Sequence, residues 1–406
     1  MPGPLEGIKV IDMTQVIAGP LACMLLSDLG AEVIKVEPPA FGDLTRLAQF
    51  SKGGLNSSVV SNNRGKRSIQ IDIAQPDGRD LVLEMIKDAD VVVQNMRPGV
   101  MERLGVGWDG SSAVNPDIIY CSMSGYGATG PYADRAVYDP IIQAMAGYVA
   151  LQVNPQVPIP DLVRNGVVDK AAAWMAALAI TSALFARAEG KGGQHIELSM
   201  LDIAVQFLWP DGGMADTMLD PDIPPSFRLS QIYTLSECAD GHLVYFVISD
   251  EQFRGLFTAL GHPEWMDTYG DAQYRQEHRE ELGALLGNAF LEWKLADLLP
   301  RMHENSVPCG HVNQMEDLPT DPQIVHSGTF VEWEHETAGR IRSPRMSATF
   351  SATPPPFKAS APVLNEHVDE VLAEIGITAE QRRALLDAGV IKAPESSAPG
   401  APALDE

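Results

Sequence analysis

The sequence predicts a doubly wound α/β fold with a mostly parallel sheet, followed by a smaller α+β domain. Three observations carry this. Strand-like and helix-like stretches alternate through the first half of the chain, as they do when helices connect parallel strands. From Asp211 the composition changes to DGGMADTMLDPDIPPSF, a Gly-, Pro- and Asp-rich stretch that reads as a linker. Beyond it, a strand pair turning at Asp240-Gly241 precedes two helices, EQFRGLFTALG and HREELGALLGNAFLEW, which is an α+β pattern.

The opening stretch, GIKVIDMTQVIAGPLACMLLSDLGAEVIKVEPP, reads as strand, Gly-Pro loop, helix and strand. Ile8 to Ile11 are β-rich, Leu21 to Leu29 have helical spacing, and Glu32 to Val36 form a second strand ending at Pro38. RSIQIDI, DVVVQNM and DIIYCSMSGY continue as strands, with LVLEMIKDA as a helix between the first two. The first turn, TQVIAGPLA, lacks the GxGxxG of a dinucleotide site, so Glu37 is a weak argument for NAD. A long apolar helix opened by Asp169 is followed by the turn GKGGQ and the strand HIELSML. The divisions are then 1–205 for the large domain, 206–230 for the linker, 231–320 for the small domain and 321–392 for a proline-rich return path. That path ends in a short helix within PVLNEHVDEVLAEIG. The tail 393–406 is rich in Pro, Ala, Ser and acid, and is expected to be disordered.

With 406 residues and 45% hydrophobic content, the chain can bury a large core. MPGPLEGIKVIDM has no charged-then-apolar leader, so the expected location is the cytoplasm. The stretch Ala171 to Ala186 is shorter than the roughly 20 residues that span a bilayer, and reads as a buried core helix. Cys23, Cys121, Cys238 and Cys309 show neither CxxC pairing nor histidines at ligand spacing, so buried free thiols are expected and no metal. A net charge of −25 argues against nucleic acid and anionic membrane as partners. Residues 1–110 carry 11 Lys/Arg against 14 Asp/Glu, which leaves room for a local anion site there.

Asp169 is the candidate on which the function turns. Its place at a helix start suits a cap, because free N–H groups and the helix dipole favour a carboxylate there. Other segments, taken together, shift it toward chemistry. LEGIKVIDMTQVIAGPLACMLLSDLGAEVIKVEPPAFGDLTR, NRGKRSIQIDI, the run from DVVVQNMRPG to DPIIQAMAG, the Asp169 helix with GKGGQHIELSMLD, SVPCGHVNQMEDLPTDPQI and PVLNEHVDEVLAEIGI occur in order over almost the whole chain. In these segments the sequence resembles the family III coenzyme A transferases, a group that includes the α-methylacyl-CoA racemases.

The resemblance implies an interlocked homodimer, each chain with a Rossmann-like large domain built from both chain ends and a small central domain. It thereby assigns 321–392 to completion of the large domain. It implies acyl-CoA and a carboxylic acid as substrates, and no metal. It also implies that Asp169 attacks the thioester to give a mixed anhydride, then an aspartyl-CoA thioester that donates CoA to the incoming acid. Backbone N–H groups in SGYGATG or RNGVV are candidates for oxyanion stabilisation, and the helix N-terminus is expected to hold Asp169 ionised.

Where the racemases resemble one another in carrying a histidine, this chain has Tyr138. With an ordinary pKa near ~10, tyrosine suits positioning better than proton abstraction. For the CoA phosphates the resemblance points to Arg64, Lys66, Arg67, Asn95, Arg97 and Arg103, with Val16 and Ala18 at the adenine or pantetheine; NNRGKR, QNMRPG and DMTQVIAGP read as loops at the carboxyl edge of the sheet. Arg46, in GDLTR, matches a GDxxR element of the family, with a structural role as the alternative. Lys170 and Trp174 depart from the family pattern after the aspartate and are expected to alter the pocket floor. Residues 222–236 lack the glycine tract of the formyl-CoA transferases. His367 reads as a packing or capping residue. An acyl-CoA racemase and a non-catalytic acyl-CoA-binding protein are the two alternatives.

Overall fold

Short Val- and Ile-rich runs build six strands, β1 (Lys9–Met13), β2 (Glu32–Glu37), β3 (Arg67–Gln70), β4 (Val91–Gln94), β5 (Ile119–Ser124) and β6 (Gln194–Ser199). They form one parallel sheet in the order β3-β2-β1-β4-β5-β6. The structure, a computed structural model, describes residues 3–47, 50–152, 160–223 and 233–394. A sheet covered on both faces needs apolar residues on both, and Val91, Val92 and Val93 are all fully buried, pointing alternately into two separate cores. One core holds the helix Ala18–Asp28 and the helix Val167–Ala186. The other holds the helix Pro76–Lys87 and the late helix Val368–Glu374.

The order reverses between β1 and β4. The chain leaves β1 toward β2 and β3 on one side, and resumes from β4 toward β5 and β6 on the other. The loops after β1 and β4 therefore part at the carboxyl edge, where doubly wound sheets bind ligands. This strand order is the one geometric fact that decides where the site lies.

The helix Val167–Ala186 packs an alanine face, Ala172, Ala173, Ala176 and Ala177, against Ala22 and Cys23 of the helix Ala18–Asp28. Its other face is open: Trp174, Leu178 and Phe185 are exposed by 52%, 59% and 70%. The expectation of a buried core helix holds for the alanine face and is corrected for the other. By length and apolarity this helix would pass for a membrane span, but its alanine face belongs to the core of the sheet.

Contacts divide the chain into two units, one up to Pro210 and again from Gly328, the other Asp211–Ser327. The second is built on an antiparallel sheet of β7 (Thr234–Cys238), β8 (Gly241–Tyr245) and β9 (Cys309–His311). Leu243, Leu256, Phe257, Leu286 and Phe290 fill its core, and Ser249 with Gln252 closes a capping box on the helix Asp250–Leu260. The helix Met200–Gly212 extends into the stretch read as linker, because Ala204 to Trp209 is apolar apart from Gln206. Residues 224–230 of that linker, 231 and 232 at the start of the small domain, and 395–406 of the tail lie outside the described residues.

The return path holds a hairpin that sequence reading missed, β10 (Phe330–His335) against β11 (Gly339–Pro344). Trp333 packs from it onto Leu55, Val59 and Val60. Further on, Asn365 accepts the Gln70 N–H and donates to the carbonyls of Lys392 and Ala393, tying the last described residues to β3. Among the cysteines, Cys23, Cys121 and Cys238 are buried free thiols, and Cys309 is half-buried.

Candidate active site

A pocket of about 260 Å³ opens at the point where the strand order reverses. One wall is made by residues 15–18 after β1 and 95–98 after β4. The other is made by Ala133 and residues 135–138, with the end of β5, Met200 and Asp169 between them. Gly125 lets the walls meet, since a Cβ there would lie 2.0 Å from Val137 Cγ1.

The first wall is held in a strained form. Val16 has φ 72°, a left-handed conformation that β-branched residues rarely adopt. Its N–H donates to Asp43 Oδ1 at 3.1 Å, and Lys35 pairs with Asp43 at 2.9 Å in full burial. Asn95 clamps the preceding residue, accepting the Gln15 N–H and donating to its carbonyl, both at 2.8 Å. Asn95 thus shapes the loop. Val16 and Ala18 both face the pocket.

Asp169 sits in the first turn of its helix, which begins two residues earlier, at Val167. It is not the cap. The N–H groups of Val168 and Asp169 both donate to Asp139 Oδ2, at 2.7 and 2.9 Å, while Gln143 donates to Asp139 Oδ1. Asp139, thirty residues upstream and buried, therefore takes the two amides that would otherwise have favoured charge on Asp169. Burial, and secondly the Asp139 charge, raise Asp169 to about 6. The expectation that the helix start stabilises the Asp169 anion is corrected: the anion is disfavoured, although roughly nine-tenths of it persists at neutral pH. Val168 N–H, in the RNGVV segment considered for an oxyanion, is already taken by Asp139, and Val167 N–H by the Asn165 carbonyl. Tyr138 lines the pocket, exposed by 61%, at the start of the helix Asp139–Met145.

The six expected phosphate-binding residues separate into two groups. Asn95, Arg97 and Arg103 follow β4 and lie at the carboxyl edge; Arg97 lines the pocket and Arg103 is exposed beside Gly99. Arg64, Lys66 and Arg67 are not brought to the pocket. NNRGKR leads into β3 instead of out of a strand, so in a parallel sheet it approaches from the amino side. Arg64 pairs with buried Asp28 at 2.7 Å and stacks on Phe357, Lys66 pairs with buried Asp12 at 2.7 Å, and Arg67 pairs with Glu32 and Glu374. Their role is to hold the fold. Replacing Lys66 with alanine would take from buried Asp12 its nearer cation and leave it Lys35 at 3.9 Å and the Thr14 donors, an expected loss of about 3 kcal/mol read from the urea midpoint. CoA affinity of the folded fraction is expected to stay unchanged, and a selective loss of CoA binding at an unaltered midpoint would return Lys66 to the site.

Arg46 is structural, forming a two-pronged pair with Glu37 at 2.7 Å, which also accounts for that carboxylate. Lys170 donates to Asn165 and Trp174 is exposed; neither lines the pocket. His367 precedes the helix Val368–Glu374 and accepts the Ser68 N–H, with burial pushing its pKa down. Sequence reading missed Asp139 and Arg135. Asp139 was hidden because Asp-Pro reads as the start of its own helix, and nothing local marks a partner thirty residues away. Arg135 lies within the run from DVVVQNMRPG to DPIIQAMAG, and the basic loops nearer the N-terminus drew the assignment of cations instead. Among the described residues no cluster suited to a metal ion occurs.

Residues 5–368 match the family model described as CoA-transferase family III. The chain is 36% identical to the succinate–glutarate CoA-transferase of Agrobacterium fabrum over 92% of its own length and 96% of that protein's. It is 33% identical to the human succinyl-CoA:glutarate CoA-transferase, over 96% and 90%. Its fold matches the crystal structure of a CAIB/BAIF family protein from Brucella suis with a TM-score of 0.79 at 32% identity, covering 92% of this chain and all of that one.

Proposed function

The chain belongs to CoA-transferase family III and transfers coenzyme A from an acyl-CoA to a carboxylate; we propose that Asp169 is the covalent carrier. The observation that carries this reading is a half-buried carboxylate, raised to about 6, facing a pocket at the carboxyl edge of the sheet. Such a group is ionised at neutral pH yet more basic than an ordinary aspartate, which suits it to attack a thioester. An Asp169 oxygen adds to the acyl carbonyl, the C–S bond breaks, and the CoA thiolate leaves. The thiolate then adds to the Asp169 carbonyl and expels the first acid as its carboxylate, leaving an aspartyl-CoA thioester. The incoming carboxylate repeats both steps in reverse order, forming its own anhydride with Asp169 and then its CoA thioester. No net proton is taken up.

Arg97 and Arg103 are assigned to the CoA phosphates, Val16 and Ala18 to its adenine or pantetheine, and Tyr138 to orienting the acyl group. Coenzyme A enters as a substrate. A racemase needs a second proton-transfer group facing the first. Besides Asp169, the titratable side chains lining the pocket are Arg97, Arg135 and Tyr138, none suited to abstract a proton at neutral pH. The relatives named above act on succinate and glutarate, and we infer short dicarboxylic acids as the substrate class here.

The open stripe Trp174, Leu178 and Phe185 supports a homodimer, since apolar residues at helical spacing call for a cover. Light scattering is expected to give twice the chain mass, and Leu178→Glu is expected to lower it toward one chain. For the reaction, incubation with succinyl-CoA and glutarate in heavy water is expected to yield glutaryl-CoA without deuterium at the α-carbon. Deuterium entry without acyl exchange would instead establish the racemase.

A further inference from the structure

Arg135 is not explained by folding. Its guanidinium carbon sits over the Tyr132 ring, 3.8 Å from the centroid, and Tyr132 in turn meets Tyr126 edge-on at 5.7 Å. Among the described residues it has no carboxylate partner, in a chain whose net charge is −25. Most other arginines of the same unit are paired, as Arg46, Arg64, Arg67 and Arg187 show. A guanidinium placed over a ring keeps N–H groups free for a carboxylate, which it can take through two parallel hydrogen bonds.

Its place in the pocket separates it from Arg97 and Arg103. Arg97 lies on the loop after β4, the wall shared with Gln15 to Ala18, and Arg103 ends the short helix Val100–Arg103 that follows, outside the pocket lining. Arg135 lies on the opposite wall, three residues before Tyr138 and four before Asp139, whose carboxylate holds the Asp169 amide. That wall is continuous with the support of the reacting carboxylate. We propose that Arg135 binds the far carboxylate of a dicarboxylic acyl group while its near carbonyl is held at Asp169. The assignment rests on the reading of Asp169 as the acyl-accepting residue, and it makes Arg135 the determinant that separates dicarboxylic from monocarboxylic acids.

The test uses binding alone, in full-length Asp169→Ala protein, so that no chemistry intervenes. Affinities for glutaryl-CoA, pentanoyl-CoA and free CoA are measured by calorimetry, with and without Arg135→Gln. The first two ligands share a five-carbon acyl chain and differ in the terminal carboxylate. Glutaryl-CoA is expected to bind about 10- to 100-fold more tightly than pentanoyl-CoA, the range for one charge-assisted pair. Arg135→Gln is expected to erase that ratio while leaving pentanoyl-CoA and CoA unchanged, and Arg135→Lys to retain part of it. Equal weakening of all three ligands would place Arg135 on coenzyme A and overturn the proposal. So would a preference that survives Arg135→Gln, or no preference in the parent. Failure of the covalent reading is scored separately, in the wild-type protein, as the absence of an adduct with every acyl-CoA.

Discussion

Asp169→Asn is expected to lose CoA transfer by at least about 10⁴-fold in kcat/KM, the scale for removing a covalent nucleophile, and yet to unfold at a higher temperature than wild type at pH 7.5. The second half follows from the first residue's cost to the fold. Burial and the Asp139 charge raise Asp169 from its ordinary 3.8 to about 6. A carboxyl group whose pKa is higher folded than unfolded contributes stability below about pH 4, and that contribution is lost as the pH rises through about 6. At 1.36 kcal/mol per pKa unit, the ionised group costs the fold on the order of 3 kcal/mol at pH 7.5. An amide of the same shape removes the charge, so a gain of about 1–3 kcal/mol is expected at pH 7.5 and little or none at pH 4. Thermal unfolding of the two proteins at both pH values checks this. A variant less stable than wild type at pH 7.5 would mean that Asp169 has a structural role not evident in its surroundings.

Replacing Asp139 is expected to have the next largest effect, and its two replacements are expected to differ. Alanine leaves the Val168 and Asp169 N–H groups without their acceptor at the start of the catalytic helix. The expected cost is about 2–3 kcal/mol of stability, from two donors left unsatisfied in a largely buried place. With the Asp169 backbone released, kcat/KM is expected to fall by about 10²-fold, the scale for a misplaced reacting group. Asparagine keeps an oxygen for the two amides but removes the like charge. The pKa of Asp169 should then drop, so the nucleophile stays ionised to lower pH and the acid limb of the kcat/KM profile, expected near pH 6 in wild type, moves down. A limb that does not move in Asp139→Asn would assign the rise at Asp169 to burial alone.

Much of this was legible in the chain before any coordinates. The β1–β2 unit and the strands VVVQ and IYCSMS announce themselves because central parallel strands are mostly apolar, and the strand pair around Asp240-Gly241 is legible too, although its turn lies one residue earlier, at Ala239-Asp240. The place of Asp169 at the head of an alanine-rich helix was legible too. The rest depended on distance. Whether a cation serves a ligand or the fold is decided by which acid meets it, and Lys66 meets Asp12 across fifty-four positions. NNRGKR is basic and lies beside a strand, as a phosphate loop would; only the strand direction shows that it enters the sheet from the amino side. The hairpin Phe330–Pro344 was missed although FVEWEH alternates, because the proline-rich sequence that follows suggested a plain return path. The open face of the Asp169 helix was equally hidden, since Trp174, Leu178 and Phe185 satisfy a core pattern as well as a surface one.

The most direct test of the central claim is the mass of the intact protein after brief incubation with an acyl-CoA and no acceptor acid, with hydroxylamine added to half of each sample. Wild-type protein is expected to gain one coenzyme A less one water, the aspartyl thioester, and to convert to the hydroxamate with hydroxylamine, with peptide mapping placing the change at Asp169. Asp169→Asn is expected to show neither. An adduct that persists in Asp169→Asn, or maps to another residue, would contradict the account, as would the absence of any adduct in a wild-type preparation that turns over.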